Sequence, residues 1–191
     1  MKTNLKKLTL ASVFAALIVV FTVVPNLGYI STGVIEITTL HIVTILGAVF
    51  LGWKYGAVLG GVWGVTCLVR AFTNPLWLPF TNPLISVLPR IFVGLVAGLV
   101  FAGLRKTKLN KALCAAISAA AATLTNTVLV LSALYIFGGM IQSYAQFFEM
   151  FKTIITTIIS LNGGIELAAA ILLVPAIYTP LSKYQTKLET H

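Results

Sequence analysis

The sequence predicts an all-α protein, a bundle of six transmembrane helices with the N- and C-termini in the cytoplasm. Hydrophobic residues make up 59% of the 191 residues and charged residues only 9%, whereas roughly a quarter of the residues of a soluble domain are charged. Because a helix needs about 20 apolar residues to cross a bilayer, the chain has room for six helices and short loops. We therefore expect one multi-pass domain over residues 1–191, embedded in the lipid bilayer of the cell membrane.

Apolar segments separated by turn signals mark the spans. The first span ends at Pro25, and the last is followed by a polar tail. Asn-Pro pairs, which favour turns, occur twice in the connection 73–83, and a second long connection covers 138–151. The predicted spans are 5–24, 36–53, 57–72, 84–104, 112–137 and 152–177.

The distribution of basic residues sets the predicted orientation. With the N-terminus in the cytoplasm, only Arg70, Arg90 and Lys152 fall on the outer side, and an even number of spans returns the C-terminus to the cytoplasm. This arrangement satisfies the positive-inside rule and accounts for the net charge of +9 without nucleic-acid binding. The ten basic residues expected on the cytoplasmic side are Lys2, Lys6, Lys7, Lys54, Arg105, Lys106, Lys108, Lys111, Lys183 and Lys187.

Polar residues within the spans indicate where a ligand binds. A charged side chain in lipid is costly and has to face protein or water. At about 1.5 Å of rise per residue, nearly all of these residues fall in the outer half of the membrane, as a receptor open only to the outside requires. A channel or an ion-coupled carrier needs polar groups along its whole path. The candidate substrate-binding residues are His41, Trp63, Arg70, Asn82, Arg90, Asn126, Asn162 and Glu166.

The chemistry of these residues suggests a small, polar, anionic nutrient. An arginine in a shaded pocket favours a carboxylate or phosphate through paired, charge-assisted hydrogen bonds. Asn162 and Glu166, spaced i and i+4, share one helix face and, with Asn126, suit hydroxyl and amide groups.

Six of the eight candidates also have a purely structural alternative. Arg70 can reach the outer interface by snorkelling, and Arg90 can pair with Glu166 or a loop carbonyl. The alternatives for the remaining candidates are packing for His41 and Trp63 and a turn cap for Asn82.

Several functional classes lack their signatures. No Walker A pattern, no HExxH motif and no serine–histidine pair with nucleophile spacing occurs, so we expect neither an enzyme nor a direct ATP-binding protein. We expect no cofactor and no metal site, and Cys67 and Cys114 lie in apolar stretches as packing residues. A stand-alone ion-coupled carrier remains an alternative, although it predicts coupling carboxylates and inverted repeats.

Two segments, 37–75 and 82–101, carry a family resemblance. They contain a Leu-Gly-x-Lys-x-Gly-Ala turn at 51–57 and a Pro-Arg-Ile-Phe-x-Gly step at 89–94. The chain resembles the S-components, which are the substrate-binding subunits of energy-coupling factor (ECF) vitamin transporters. The resemblance covers essentially the whole length of the chain and is sharpest in these two segments. Within the family it is most similar to the pantothenate-specific subunit, through the segment Thr-Thr-Leu-His-Ile at 38–42 and the nearby arginines.

The resemblance implies a function and partners that composition does not reveal. S-components capture a vitamin from outside and associate with a transmembrane coupling subunit (EcfT) and two ABC-type ATPases (EcfA type), which drive toppling of the loaded subunit. In the family, small residues of the first helix contact the coupling subunit, and here they correspond to Ala11 and Ala15. Pantothenate is the expected substrate, with folate, hydroxymethylpyrimidine and pyridoxine as alternatives.

Overall fold

The computed structural model describes residues 2–31, 36–73, 75–137 and 148–189. Within these ranges, six helices are longer than ten residues, a short helix precedes the fourth of them, and two strands and a 3-10 helix occupy the connections. The α-helices are α1 (Lys2–Val23), α2 (Leu40–Leu51), α3 (Trp53–Ala71), α4 (Pro83–Ser86), α5 (Leu88–Leu104), α6 (Lys111–Phe137) and α7 (Phe148–Glu189). The strands are β1 (Tyr29–Ser31) and β2 (Glu36–Thr38), and the 3-10 helix is Pro75–Thr81.

Four segments of the described chain are long and apolar enough to cross a membrane. They are Leu5–Val23, Pro83–Leu104, Lys111–Phe137 and Leu161–Ser182. Helix α2 is apolar but has only 12 residues, which corresponds to about 18 Å. Helix α3 has 19 residues that include Lys54, Arg70 and four glycines, and it is not among the four. The structure therefore supports an integral membrane protein, while the count of six spans and the orientation of the termini stay predictions.

The start of the second predicted span was wrong. Residues Glu36–Thr38 form strand β2 and pair antiparallel with β1, with Ile30 opposite Ile37, and the helix begins only at Leu40. The β-branched residues Ile37 and Thr38 favour a strand, but a three-residue strand is too short to interrupt a hydropathy profile. The chain from α1 to α2 therefore forms a β-hairpin, which we call the β1–β2 hairpin.

Other boundaries also differ from the prediction. The connection 73–83, expected to be a structured loop, contains the 3-10 helix, and Asn82 and Pro83 then begin the short helix α4. The C-terminal helix α7 continues to Glu189 through Pro175 and Pro180, so the predicted polar tail is largely helical. Residues 138–147 of the predicted connection 138–151 lie outside the described residues.

Helices α3 and α5 pack closely because glycines face each other across their contact. A Cβ atom on Gly60 would overlap the carbonyl oxygen of Arg90, and the backbones of Gly56 and Gly94 meet in the same way. Small residues allow such a close approach of two helices in lipid. The contact fixes the backbone of Arg90 against α3, beside Trp63.

Apolar packing fills the end of the bundle away from the β1–β2 hairpin. Phe50 and Phe101 each contact the ring of Tyr178, with centroids 5.0 and 5.2 Å apart. Nearer the hairpin, Phe80, Ile85, Val130 and other apolar residues form a second buried cluster. The polar groups between these regions are those of the candidate site.

Candidate functional site

A cavity lies beneath the β1–β2 hairpin, between α3, the 3-10 helix, α5, α6 and α7. Its empty volume is about 680 Å³, part of which is open to solvent. Polar side chains and an apolar wall divide its surface. The polar lining residues are Tyr29, Glu36, Thr38, Arg70, Arg90, Asn126, Thr127, Asn162 and Glu166, and the others are Cys67, Ala71, Trp77, Phe80 and Val130.

Five of the eight sequence-predicted site residues line this cavity. Helices α3, α5 and α6 each contribute one of them, and α7 contributes two. The five are Arg70, Arg90, Asn126, Asn162 and Glu166. The depth estimated along each predicted span therefore selected side chains that come from four different helices and line one cavity.

The other three predicted residues lie outside the cavity lining and support it. The buried Trp63 ring lies 5.4 Å from the guanidinium carbon of Arg90. His41 is buried, with Nε2 3.3 Å from the carbonyl oxygen of Glu166. Asn82 caps α4 through Oδ1, which accepts a hydrogen bond of 3.0 Å from the Leu84 N–H. These contacts agree with the structural alternatives for the three residues.

Arg70 forms an ion pair with Glu36 of the β1–β2 hairpin. Its Nη1 donates to Glu36 Oε2 at 2.8 Å, and Nη2 donates to Oε1 at 2.5 Å. The guanidinium carbon also lies 4.0 Å from the centroid of the Tyr29 ring. Arg70 is thus bonded by both terminal nitrogens and stacked on an aromatic face, and it ties the hairpin to α3.

The role of Glu36 was missed by the sequence reasoning. Glu36 was predicted to be the first residue of the second helix, where an acidic residue needs no special partner. The sequence did offer a signal for this role, because acidic residues are scarce and Glu36 is one of only four in the chain. An acidic residue next to a cavity-facing arginine in an apolar protein is a candidate partner.

Arg90 is buried, with 7% of its surface exposed. Its Nη1 donates to the carbonyl oxygen of Ile85 at 2.7 Å, and Phe80 contacts its guanidinium at 5.3 Å from the ring centroid. Its Nε has no hydrogen-bond partner. Across the part of the chain that the structure describes, the only salt bridge is that of Arg70 with Glu36, so Arg90 does not pair with Glu166. Arg90 therefore carries a buried positive charge without a carboxylate partner among the described residues.

Asn162 and Glu166 face the cavity together and also hold strand β2. Asn162 Nδ2 donates to the carbonyl oxygen of Glu36 at 3.0 Å, and Glu166 Oε1 accepts from the Thr38 N–H at 2.8 Å. The i, i+4 spacing does place both side chains on one face of α7. Helix α7 thus positions the hairpin over the cavity.

Two amide oxygens in the cavity lack donors. Asn126 Oδ1 and Asn162 Oδ1 are buried and have no hydrogen-bond partner within the described residues. Leaving a buried acceptor unsatisfied costs about 1–3 kcal/mol, so such groups are rarely left alone in a folded protein. Both oxygens are suited to accept hydrogen bonds from hydroxyl or amide groups of a ligand.

Tyr29 adds a polar group that the sequence reasoning did not single out. Its hydroxyl is buried and has no hydrogen-bond partner among the described residues. Burial raises the pKa of this hydroxyl above its usual range, so it is a neutral donor at physiological pH. The ring packs on Arg70, which leaves the hydroxyl as a further contact for a ligand.

An apolar wall completes the cavity. The rings of Trp77 and Phe80 meet edge to face with centroids 5.6 Å apart, and Val130 lies in the same apolar cluster. Such a wall favours methyl groups on the ligand, because contact with them removes apolar surface from water. Cys67, expected as a packing residue, lies partly buried against the same cluster and also lines the cavity, while Cys114 is fully buried.

The small residues predicted to contact a coupling subunit lie on the inner face of α1. Ala11 is buried and Ala15 is half-buried against the core, on the same side as Ile18. Ser12 and Ala16, each one residue further along, are exposed and form a parallel small-residue step on the outer face. The structure therefore gives Ala11 and Ala15 a packing role within the bundle.

Comparison with known proteins adds evidence that the geometry does not contain. Residues 6–178 match the family model for "ECF transporter, substrate-specific component". The chain is 33% identical over 162 residues to the pantothenic acid transporter PanT of Lactococcus lactis subsp. cremoris. The aligned region covers 76% of this chain and 78% of that protein. It is 35% identical over 103 residues to the pantothenate transporter PanT of Leuconostoc mesenteroides, which spans half of each chain.

Proposed function

The chain belongs to the family of ECF transporter substrate-specific components, and on that premise we propose that it is the pantothenate-binding subunit of an ECF importer. The observation that carries this proposal is the buried guanidinium of Arg90, which lacks a carboxylate partner in the described structure, next to two unsatisfied amide oxygens. Both relatives named above are pantothenate transporters, which supports the choice of vitamin.

The carboxylate of pantothenate complements Arg90. Arg90 is held between Trp63 and Phe80 and donates one hydrogen bond to Ile85, so its guanidinium is fixed in position before a ligand arrives. A preorganised cation loses little freedom on binding, which favours affinity. Arg70 is a poorer partner because both of its terminal nitrogens already bind Glu36.

The remaining polar groups of pantothenate also find partners. The molecule has two hydroxyls and one amide N–H, which together offer three donors. The cavity offers matching acceptors in Asn126 Oδ1, Asn162 Oδ1 and the Glu166 carboxylate. The two methyl groups on one carbon of pantothenate suit the wall formed by Trp77, Phe80 and Val130. Folate, hydroxymethylpyrimidine and pyridoxine, which are built on flat rings, lack this branched apolar group.

We further propose that transport requires a coupling subunit and two ABC-type ATPases, whose ATP hydrolysis topples the loaded subunit in the membrane. Family membership supports this, and so does the exposure of α1. Only 6% of its apolar segment is buried, compared with 22–50% for the other three long apolar segments. We assign the contact to the exposed small residues Ser12 and Ala16, with Ala11 and Ala15 packing immediately behind them.

Binding and transport assays with the purified protein test this function. The protein alone should bind pantothenate more tightly than folate, hydroxymethylpyrimidine or pyridoxine. In liposomes it should take up labelled pantothenate only when the coupling subunit, the ATPases and ATP are present. Tighter binding of a rival vitamin would reassign the substrate, and uptake by the lone protein driven by an ion gradient would establish a stand-alone carrier.

A further inference from the structure

We propose that the Glu36–Arg70 ion pair restricts the cavity to ligands with a single negative charge, so that it excludes phosphorylated forms of the same nutrient. The proposal rests on the proposed function and adds a determinant of selectivity to it. It assigns Arg70 a role distinct from that of Arg90, although both arginines line the same cavity.

Arg70 is not free to bind an anion. Glu36 occupies both of its terminal nitrogens, at 2.8 and 2.5 Å, which is the paired geometry that a ligand carboxylate or phosphate would use. Tyr29 covers one face of the guanidinium at 4.0 Å. A second anion could engage Arg70 only by displacing Glu36.

The backbone of Glu36 is held in place by neighbouring segments. Its backbone belongs to strand β2, in register with Ser31 of β1, and its carbonyl oxygen accepts a hydrogen bond of 3.0 Å from Asn162. The backbone that carries this carboxylate is therefore fixed by the sheet and by α7 rather than belonging to an irregular loop. With the backbone held, the carboxylate can leave Arg70 only by a side-chain rotation that breaks both hydrogen bonds of the ion pair.

The positive and negative charges around the cavity are equal in number. Among the described lining residues, two guanidiniums face two carboxylates, those of Glu36 and Glu166. A ligand with one carboxylate can pair with Arg90, whose guanidinium has no carboxylate partner in the described structure. A second negative charge would instead meet Glu36 or Glu166, and like charges brought together at a binding interface are strongly disfavoured.

A pair of ligands tests the proposal directly. The first is pantothenate, and the second is pantothenate with a phosphate ester on its terminal hydroxyl, which adds about 1.5 to 2 negative charges at pH 7. The wild-type protein should prefer pantothenate by about 100-fold or more. Glu36→Gln, which keeps the side-chain size and releases Arg70, should reduce that preference at least about tenfold by improving binding of the phosphate ester.

A ligand with an added uncharged group controls for size. Pantothenate with an acetate ester on the same hydroxyl is bulkier without being more highly charged, so Glu36→Gln should leave its affinity relative to pantothenate unchanged. An equal gain for the acetate and phosphate esters would mean that Glu36 acts through bulk, which would overturn the proposal.

Glutamine substitutions separate the role of Arg70 from that of Arg90. Arg70→Gln alone leaves Glu36 unpaired and should weaken pantothenate binding about tenfold or more, because the free carboxylate repels the ligand. The double variant Glu36→Gln/Arg70→Gln removes the unpaired carboxylate and should therefore bind pantothenate clearly more tightly than Arg70→Gln does. If Arg70 binds the ligand carboxylate itself, the double variant stays as weak as Arg70→Gln, and the proposal fails.

The two proposals fail in different ways. Absence of pantothenate binding by the wild-type protein would overturn the proposed function, and the charge selectivity with it. Normal pantothenate binding with an unchanged preference in Glu36→Gln would overturn the charge selectivity alone.

Discussion

Asn162 and Glu166, one turn apart on α7, bind the same strand of the β1–β2 hairpin through opposite hydrogen-bonding roles. Asn162 donates to the carbonyl oxygen of Glu36 at 3.0 Å, and Glu166 accepts from the N–H of Thr38 at 2.8 Å. Both side chains also line the cavity. A ligand that bonds to them therefore contacts the groups that hold the hairpin, so binding and hairpin closure should be coupled.

Coupling between ligand binding and the stability of the hairpin predicts the effect of removing the Glu166 side chain. Glu166→Ala should increase the hydrogen-exchange rate of the Thr38 amide and weaken pantothenate binding by about 1–3 kcal/mol, because a buried donor loses its acceptor. Glu166→Gln keeps an acceptor oxygen and should leave the exchange rate close to that of the wild type. Hydrogen exchange followed by mass spectrometry measures the first effect and calorimetry the second. Equal Thr38 exchange in wild type and Glu166→Ala would contradict the coupling.

Adjacent glycines on α3 should respond differently to the same substitution. A Cβ on Gly60 overlaps the carbonyl of Arg90, whereas a Cβ on Gly61 meets only Ile91 Cγ1 at an ordinary 3.7 Å. Gly60→Ala should therefore destabilise the fold by about 1–3 kcal/mol and weaken pantothenate binding by displacing Arg90. Gly61→Ala should change stability by only about 0.5 kcal/mol. Unfolding and binding measurements on the two variants check this, and equal behaviour would contradict the α3–α5 packing.

The two cysteines provide a probe of the cavity. Cys67 lines the cavity, while Cys114 is fully buried in the core. A small, water-soluble methanethiosulfonate reagent applied from outside should modify Cys67 and leave Cys114 unmodified. Pantothenate at about 100 times its Kd should slow the modification by on the order of 100-fold. Labelling rates in Cys67→Ser and Cys114→Ser variants identify the reacting thiol, and a rate that pantothenate leaves unchanged would place the ligand elsewhere.

The outer face of α1 predicts a separation of binding from transport. Ala16→Trp adds bulk to the exposed small-residue step and should abolish ATP-driven uptake by the reconstituted complex while pantothenate binding stays normal. Ala102→Trp adds the same bulk at an exposed position of α5 and serves as the control. Ala11→Trp should instead destabilise the bundle, since Ala11 is buried. Normal uptake by the Ala16→Trp complex would exclude this face from the partner contact.

Much of the cavity could be predicted because lipid makes polar residues conspicuous. Arg90, Asn126 and Glu166 stand out in apolar spans, and their distance from the ends of each span brings them to a common depth. The same argument found Arg70, but not its partner. Position along a helix therefore predicts which polar residues share a depth, although His41, chosen in the same way, lies outside the cavity lining.

The parts that could not be predicted depend on contacts between distant segments. The bonds from α7 to strand β2 join residues 126 and 128 positions apart, and no local pattern marks them. The β1–β2 hairpin has strands of only three residues, which a hydropathy profile does not separate from a helix end. Trp77 and Phe80 reach the cavity wall because the 3-10 helix packs against α3. This packing leaves no periodic pattern of apolar residues in the sequence.

The central claim is that Arg90 binds the carboxylate of pantothenate, and a comparison of two ligands tests it most directly. Calorimetry would compare pantothenate with the alcohol in which a hydroxymethyl group replaces the carboxylate, using wild type and Arg90→Gln. We expect the wild type to lose about 2–5 kcal/mol of binding free energy with the alcohol, and Arg90→Gln to bind both ligands with similar, weak affinity. If Arg90→Gln still prefers pantothenate over the alcohol by the wild-type margin, another group binds the carboxylate and this account of the site is wrong.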